Sequence, residues 1–150
     1  MSEVQQTILA DAAEGVYGNC LQAAVASLFD LPLDAVPHFA QFTWWEGALE
    51  FWARGRCLTA HTERTSTIPD RPCLVYGQSP RGYGHAVVGG GGLVTWDPHP
   101  DGTGLTTVGE VVWFEEWPTF GEQSGCFACG RSCACEQPAS LTHRCPGGAS

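Results

Sequence analysis

The sequence predicts an α+β domain, and three observations carry that prediction. Helical periodicity is confined to the residues before position 56; beyond them the apolar residues fall into short runs rich in Val, Thr and aromatics. The helices precede the strands instead of alternating with them, which favours an antiparallel sheet over a doubly wound parallel one. A chain of 150 residues, 43% hydrophobic and 11% aromatic, can bury one globular core.

The first helix begins at Asn19 in "NCLQAAVASLFDL". Leu21, Ala24, Val25 and Leu28 recur at i, i+3, i+4 and i+7 and so form one apolar stripe. Asn19 suits the N-cap, which makes Cys20 the first helical residue, and the helix ends before Pro32. A turn-rich link, "LPLDAVPHF", follows. The second helix lies in "TWWEGALEFWARG": Thr43 and Glu46 match a capping box, Trp45, Leu49 and Trp52 share a face, and Gly55 stands where a terminal glycine belongs. Strands are expected at 57–62, 73–77, 85–89, 93–97 and 110–117. After Phe120 the chain turns poor in aliphatic residues and rich in Gly, Ser, Pro and Cys. The expected organisation is therefore a domain over 1–120 and a cysteine-rich tail over 121–150 that builds no hydrophobic core of its own.

Seven cations, all arginine, against sixteen acids give a net charge of −9, which repels phosphate backbones and argues against nucleic acid as a partner. No segment approaches the roughly 20 apolar residues that span a bilayer, so no membrane partner is expected. "MSEVQQTILADAAEG" lacks the basic and apolar regions of a secretion signal, and a cytoplasmic protein is the expectation. In that setting eight cysteines point to thiol chemistry or metal binding more than to disulfides.

Cys20, at the first turn of its helix, meets free N–H groups and the positive end of the helix dipole, which favour a thiolate. A small buried residue at a helix start is the alternative reading. In "GYGHAVVGGGGLVTWDPHP" the glycines at 89 to 92 suggest a hairpin turn. Centred on residue 91, that hairpin sets His85 opposite Asp97 on one sheet face. Asp97 is then expected to accept Nδ1–H of His85 and to leave Nε2 for a thiol proton, as the acid of a nucleophile–base–acid triad does. A slip by one residue would separate the two side chains, and a turn-forming Asp-Pro beside an exposed His is the other reading.

A nucleophile at the start of the first long helix, followed by a base and an acid on consecutive strands, is the layout of papain-like enzymes. On "GNCLQAAVASLFDLPLDAVPHF" and "YGQSPRGYGHAVVGGGGLVTWDPHP" the chain resembles the small C39-peptidase-like proteins of the papain-like superfamily, known from bacteria and phages; the resemblance covers residues 4 to 115. It implies Cys20 as nucleophile, His85 as general base and later acid, and Asp97 as the group that orients and charge-stabilises the histidine. It also implies a glutamine upstream of the cysteine that shares the oxyanion with the nucleophile's N–H. At the usual spacing this chain has Glu14, a poor donor. Gln5 and Gln6 are the candidates, Gln6 preferred, with Gln22 and Asn19 as substitutes.

The expected activity is cleavage of a peptide or amide bond through a thioester, with a peptide or protein as substrate and no cofactor for catalysis; transfer to an amine in place of water is open. The rival reading is a catalytically silent binding or adaptor module. Arg81, in the loop before His85, is a candidate for a substrate carboxylate or simply for a solvated loop. Of the tryptophans, Trp45 and Trp52 are expected in the core, and His38 and His99 to make loop hydrogen bonds.

In the tail, Cys126, Cys129, Cys133 and Cys135, with His143 and Cys145 behind them, offer six ligands for the four corners of a structural Zn²⁺ site. A disordered or disulfide-bonded tail is the alternative.

Overall fold

Helix α1 spans Cys20–Leu28 and buries Leu21, Ala24 and Val25, the predicted stripe, in the main core. The computed structural model describes residues 1–117, and the metal-ligand candidates Cys126, Cys129, Cys133, Cys135, His143 and Cys145 lie outside the described residues. Two short 3₁₀ turns, Leu33–Ala35 and Phe39–Gln41, lead to helix α2, Trp45–Arg54. Strands β1 (Leu58–Glu63), β2 (Cys73–Gln78), β3 (Gly84–Gly90), β4 (Leu93–Trp96) and β5 (Thr107–Glu116) follow. They form one five-stranded sheet in the order β1-β5-β2-β3-β4, with every neighbouring pair antiparallel. The protein is thus α+β, as its periodicity predicts.

The helices cover one face of the sheet. Ala86 and Val88 of β3, Leu74 of β2 and Val112 of β5 pack there against α1 and against Leu49, Trp52 and Ala53 of α2. Phe29 joins the layers, edge-on to Trp52 at 5.5 Å and to Phe114 at 5.0 Å. The opposite face holds a smaller cluster of Cys73, Val75, Val87 and Val111, flanked by Ile68 and Leu105 from connecting segments. Strands β2 and β3 are therefore apolar on both faces, which is why they read as runs and not as alternations.

Helix ends depart from expectation. Asn19 stands at the N-cap of α1 but makes no capping hydrogen bond. A cap bond contributes about 0.5–2 kcal/mol, whereas burying Leu21 and Val25 contributes roughly 1.5–3 kcal/mol each, so packing holds the helix without it. At α2 the Thr43–Glu46 box does not form: Trp44 is the N-cap, without a side-chain bond, and its ring lies against Gly47. Gly55 keeps right-handed backbone, and the left-handed residue comes later, at Cys57 with φ 58°.

The β3–β4 hairpin turns on Gly91 and Gly92 alone, with φ of 62° and 77°, the double positive φ that a tight two-residue hairpin requires. Gly89 and Gly90 belong to β3. The register runs Gly90↔Leu93, Gly89↔Val94 and then Val88↔Trp96, with a bulge that absorbs one residue. His85 and Asp97 are consequently not cross-strand partners; His85 pairs with Gly77 of β2, and Asp97 follows the end of β4.

The residues before α1 fold back over it. Val4 N–H donates to Ser27 Oγ (3.0 Å), Trp96 Nε1 donates to Val4 O (3.2 Å), Gln6 N–H donates to Pro98 O (2.9 Å) and Asn19 N–H donates to Ile8 O (3.0 Å). Between Ile8 and Asn19 the chain makes a loop closed by reciprocal main-chain bonds of Asp11 and Val16.

Candidate active site

The N-terminal end of α1, the start of β3, the segment after β4 and the folded-back N-terminal residues converge on one cavity of about 520 Å³. That volume lies within the range of about 300–1,000 Å³ typical of ligand sites. Cys20, His85 and Gln6 all line it. Cys20 arrives there as the first residue of α1.

His85 is buried, and its Nε2 lies 2.7 Å from Asp97 Oδ1. This corrects the expected tautomer: Asp97 holds Nε2, so the neutral ring carries its proton there and Nδ1 is the basic nitrogen. Asp97 is itself fixed. Its Oδ1 also accepts the N–H of His99 (2.8 Å), and its Oδ2 accepts the N–H of Gly104 (2.7 Å). Dihedral freedom after β4, not strand pairing, brings acid and imidazole together.

The electrostatics oppose a preformed ion pair. Burial pushes the Cys20 thiol up, and the Asp97 charge adds to this; the N–H groups of Ala86, Leu21 and Cys20 pull the other way without prevailing. The expectation of a thiol lowered by its helix is thereby overturned, because desolvation outweighs the dipole. Burial likewise lowers His85 against the opposing pull of Asp97, with Arg81 and His99 lowering it further. Burial raises Asp97, but the His85 hydrogen bond and the N–H groups of His99 and Gly104 more than offset it, leaving a carboxylate. The resting site holds a thiol, a neutral imidazole and a charged acid.

Of the glutamines, Gln5 is exposed, whereas Gln6 is buried in the cavity wall with its Nε2 donating to Ile8 O at 3.0 Å. Gln22 is engaged elsewhere, donating Nε2–H to Leu33 O (2.9 Å) and Val36 O (2.7 Å) and accepting from Asn19. The Asn19 side chain is likewise fully committed. Arg81 lines the cavity, but its Nη1 is held by both Asp101 oxygens (2.7 and 2.9 Å) and by Thr103 Oγ1. His99 makes the expected loop contact, with Nδ1 2.8 Å from Asp101, and its ring also reaches the cavity, edge-on to His85 at 6.0 Å. His38 Nε2 bonds Gly18 O at 3.1 Å.

Two wall residues escaped the sequence reading. Trp45, expected in the core, is only partly buried and stacks on Tyr76 at 5.6 Å, and both face the cavity. A side chain on Gly84 would collide with the Tyr76 hydroxyl, so this glycine lets the ring lie over the strand beside His85. The alternation of Leu74 and Tyr76 along β2 was the available signal, since it sends both toward the helical layer. Among the described residues the cavity wall has no Asp or Glu, and its aromatic side is completed by Tyr17 and Tyr83.

Among the described residues, no three His, Cys, Asp or Glu side chains are grouped to hold a metal ion, and no helix is long and apolar enough to cross a membrane. Compared with protein-family models, with curated proteins and with solved structures, the chain matches none.

Proposed function

We propose that this chain is a cysteine peptidase or amidohydrolase of papain-like, C39-related architecture, with Cys20 as nucleophile, His85 as base and acid, Asp97 as its orienting carboxylate and Gln6 as oxyanion donor. One juxtaposition supports this above all. A cysteine at a helix start shares a cavity wall with a buried histidine whose Nε2 is bonded to a carboxylate at 2.7 Å.

The steps follow from that arrangement. Nδ1 of neutral His85 accepts the thiol proton as the sulfur bonds to the carbonyl carbon, and Asp97 stabilises the imidazolium that forms. The oxyanion accepts from the N–H of Cys20 and the carboxamide of Gln6. The C–N bond breaks as the imidazolium returns its proton to the departing amine, which leaves a thioester. Water then loses a proton to His85 and attacks the thioester; the C–S bond breaks, the acid is released and Cys20 regains its proton. An amine in place of water would make the same site an acyltransferase. The aromatic wall, with no lining acids among the described residues, suits an uncharged peptide segment.

The test is a chromogenic ester, p-nitrophenyl acetate, which acylates an active thiol in a burst. Wild-type protein should release one burst equivalent followed by slower turnover, and Cys20→Ala and His85→Ala should each abolish both. The rival, a binding or adaptor module without turnover, draws support from the burial that raises the Cys20 thiol. A flat trace from wild-type protein selects the rival. For the tail, which lies outside the described residues, we propose the structural zinc site its cysteine spacing suggests, with four of Cys126, Cys129, Cys133, Cys135, His143 and Cys145 as ligands, against a disulfide-bonded or disordered tail.

A further inference from the structure

The residue before the nucleophile is spent in an unusual way. Asn19 is 1% exposed at the N-cap of α1, yet its side chain accepts from no main-chain N–H of that helix's first turn. Its carboxamide reaches the folded-back segment instead: Oδ1 accepts the N–H groups of Thr7 (3.0 Å) and Ile8 (2.8 Å), and Nδ2 donates to Thr7 Oγ1 (3.2 Å) and Gln22 Oε1 (3.1 Å). Gln22 is anchored in turn to the carbonyls of Leu33 and Val36.

The carbonyl of Ile8 closes the relay. It accepts the main-chain N–H of Asn19 at 3.0 Å and also the Nε2–H of Gln6 at 3.0 Å. That bond fixes which way the Gln6 amide points, because a flipped amide would set its oxygen against the Ile8 oxygen. The main-chain N–H of Gln6 is tied to Pro98 O, one residue past Asp97. Gln6 is therefore clamped from the residue before the nucleophile and from the residue after the acid, and one carboxamide N–H is left for a ligand in the cavity.

We infer that Asn19 is a positioning residue: by binding Thr7 and Ile8 in place of capping its own helix, it brings a glutamine from a remote part of the chain into the oxyanion site. The inference rests on the acyl-transfer reading above.

Two reactions of Cys20 separate oxyanion support from general structure. Iodoacetamide alkylates the sulfur by displacement and forms no oxyanion; p-nitrophenyl acetate passes through one. Losing one oxyanion donor costs about 10²–10³ in rate, so Asn19→Ala should slow the acylation burst by about 10–100-fold and alter alkylation by less than about threefold. Gln6→Ala should slow the burst as well, and adding Asn19→Ala to it should slow it no further. Thr7→Val, which deletes only the bond to the Thr7 hydroxyl at an exposed position, should repeat the pattern with a severalfold effect, and it serves if Asn19→Ala loses its cooperative melt. The inference is overturned if either variant slows both reactions alike, or if its effect on the burst persists undiminished in the Gln6→Ala background. Absence of any burst in wild-type protein that still alkylates overturns the acyl-transfer reading itself, an outcome distinct from both.

Discussion

Replacing Asp97 by Asn tests the site at its best-defined bond. The carboxylate and the imidazole are 8% and 4% exposed, so solvent screens their interaction little. In the step that protonates His85, the charges lie about 4 Å apart; at an effective dielectric constant near 20 they attract by about 4 kcal/mol. Each 1.4 kcal/mol or so is a factor of ten, and the loss corresponds to close to three decades in acylation rate. Asparagine also has one acceptor oxygen where Asp97 uses two, for His85 and His99 at Oδ1 and for Gly104 at Oδ2. At least one N–H is left without a partner, at about 1–3 kcal/mol of folding stability. The burst with p-nitrophenyl acetate reads the rate, and urea denaturation reads the stability. Asp97→Asn acylating within tenfold of wild type, while melting cooperatively, would refute the assignment of the acid.

Further expectations follow from the resting charges and the packing. With Cys20 raised and His85 lowered, iodoacetamide should label Cys20 slowly at pH 6 and ever faster as the pH climbs past the ordinary thiol value of 9.0; a rate already level below pH 7 would mean a standing thiolate–imidazolium pair. Both members of the His85–Asp97 pair titrate below their ordinary values, so the unfolded chain takes up protons first as pH falls. The stability they contribute is present above pH 6.5 for His85 and above 3.8 for Asp97, and is lost on acidification through the folded values. Urea midpoints between pH 7 and 4 should fall less steeply in His85→Gln than in wild type. Gly84→Ala forces the Tyr76 ring off Trp45 and should cost about 1–3 kcal/mol, visible in thermal melts and in altered tryptophan fluorescence. Protein purified without chelator should carry one zinc per full-length chain and none when the chain ends at Phe120; equal metal content would dispose of the zinc tail.

The elements were legible where apolar residues recur with a clear period or in compact runs. The stripe Leu21, Ala24, Val25, Leu28 marks α1 and packs in the main core, although Ala23, Ala26 and Ser27 off that stripe are buried too. All five strands sit within a few residues of the β-like runs, since Val-rich stretches between Gly and Pro have few other uses. Local hydrogen-bond detail was not legible. Symmetry about Gly91 put His85 opposite Asp97 for a reason that does not hold: the turn is centred between Gly91 and Gly92, a bulge between Val88 and Gly89 shifts the register further, and the pair meets through the turn "DPHPDG" instead. Asn19 and Thr43 carry capping chemistry that tertiary bonds and packing displace. The preference for Gln6 over Gln22 had no local signal; it depends on contacts between residues ten or more apart, which pattern reading does not see. The thiol's direction of shift failed for the same reason, since burial is a property of the assembled cavity.

The loop over residues 9–18 joins two points, Ile8 and Asn19, that are already pinned to each other. Its exposed tip, residues 12–15 beyond the Asp11–Val16 bonds, is therefore slack: lengthening it there changes only a closure entropy that grows by about 0.6 kcal/mol for each doubling, while Leu9, Ala10, Tyr17 and Gly18 keep their places in the cavity wall. Insertions or deletions there would leave the amide and the sulfur where they are, so the count of residues separating them is a quantity on which drift can act freely, while the two anchor points cannot move.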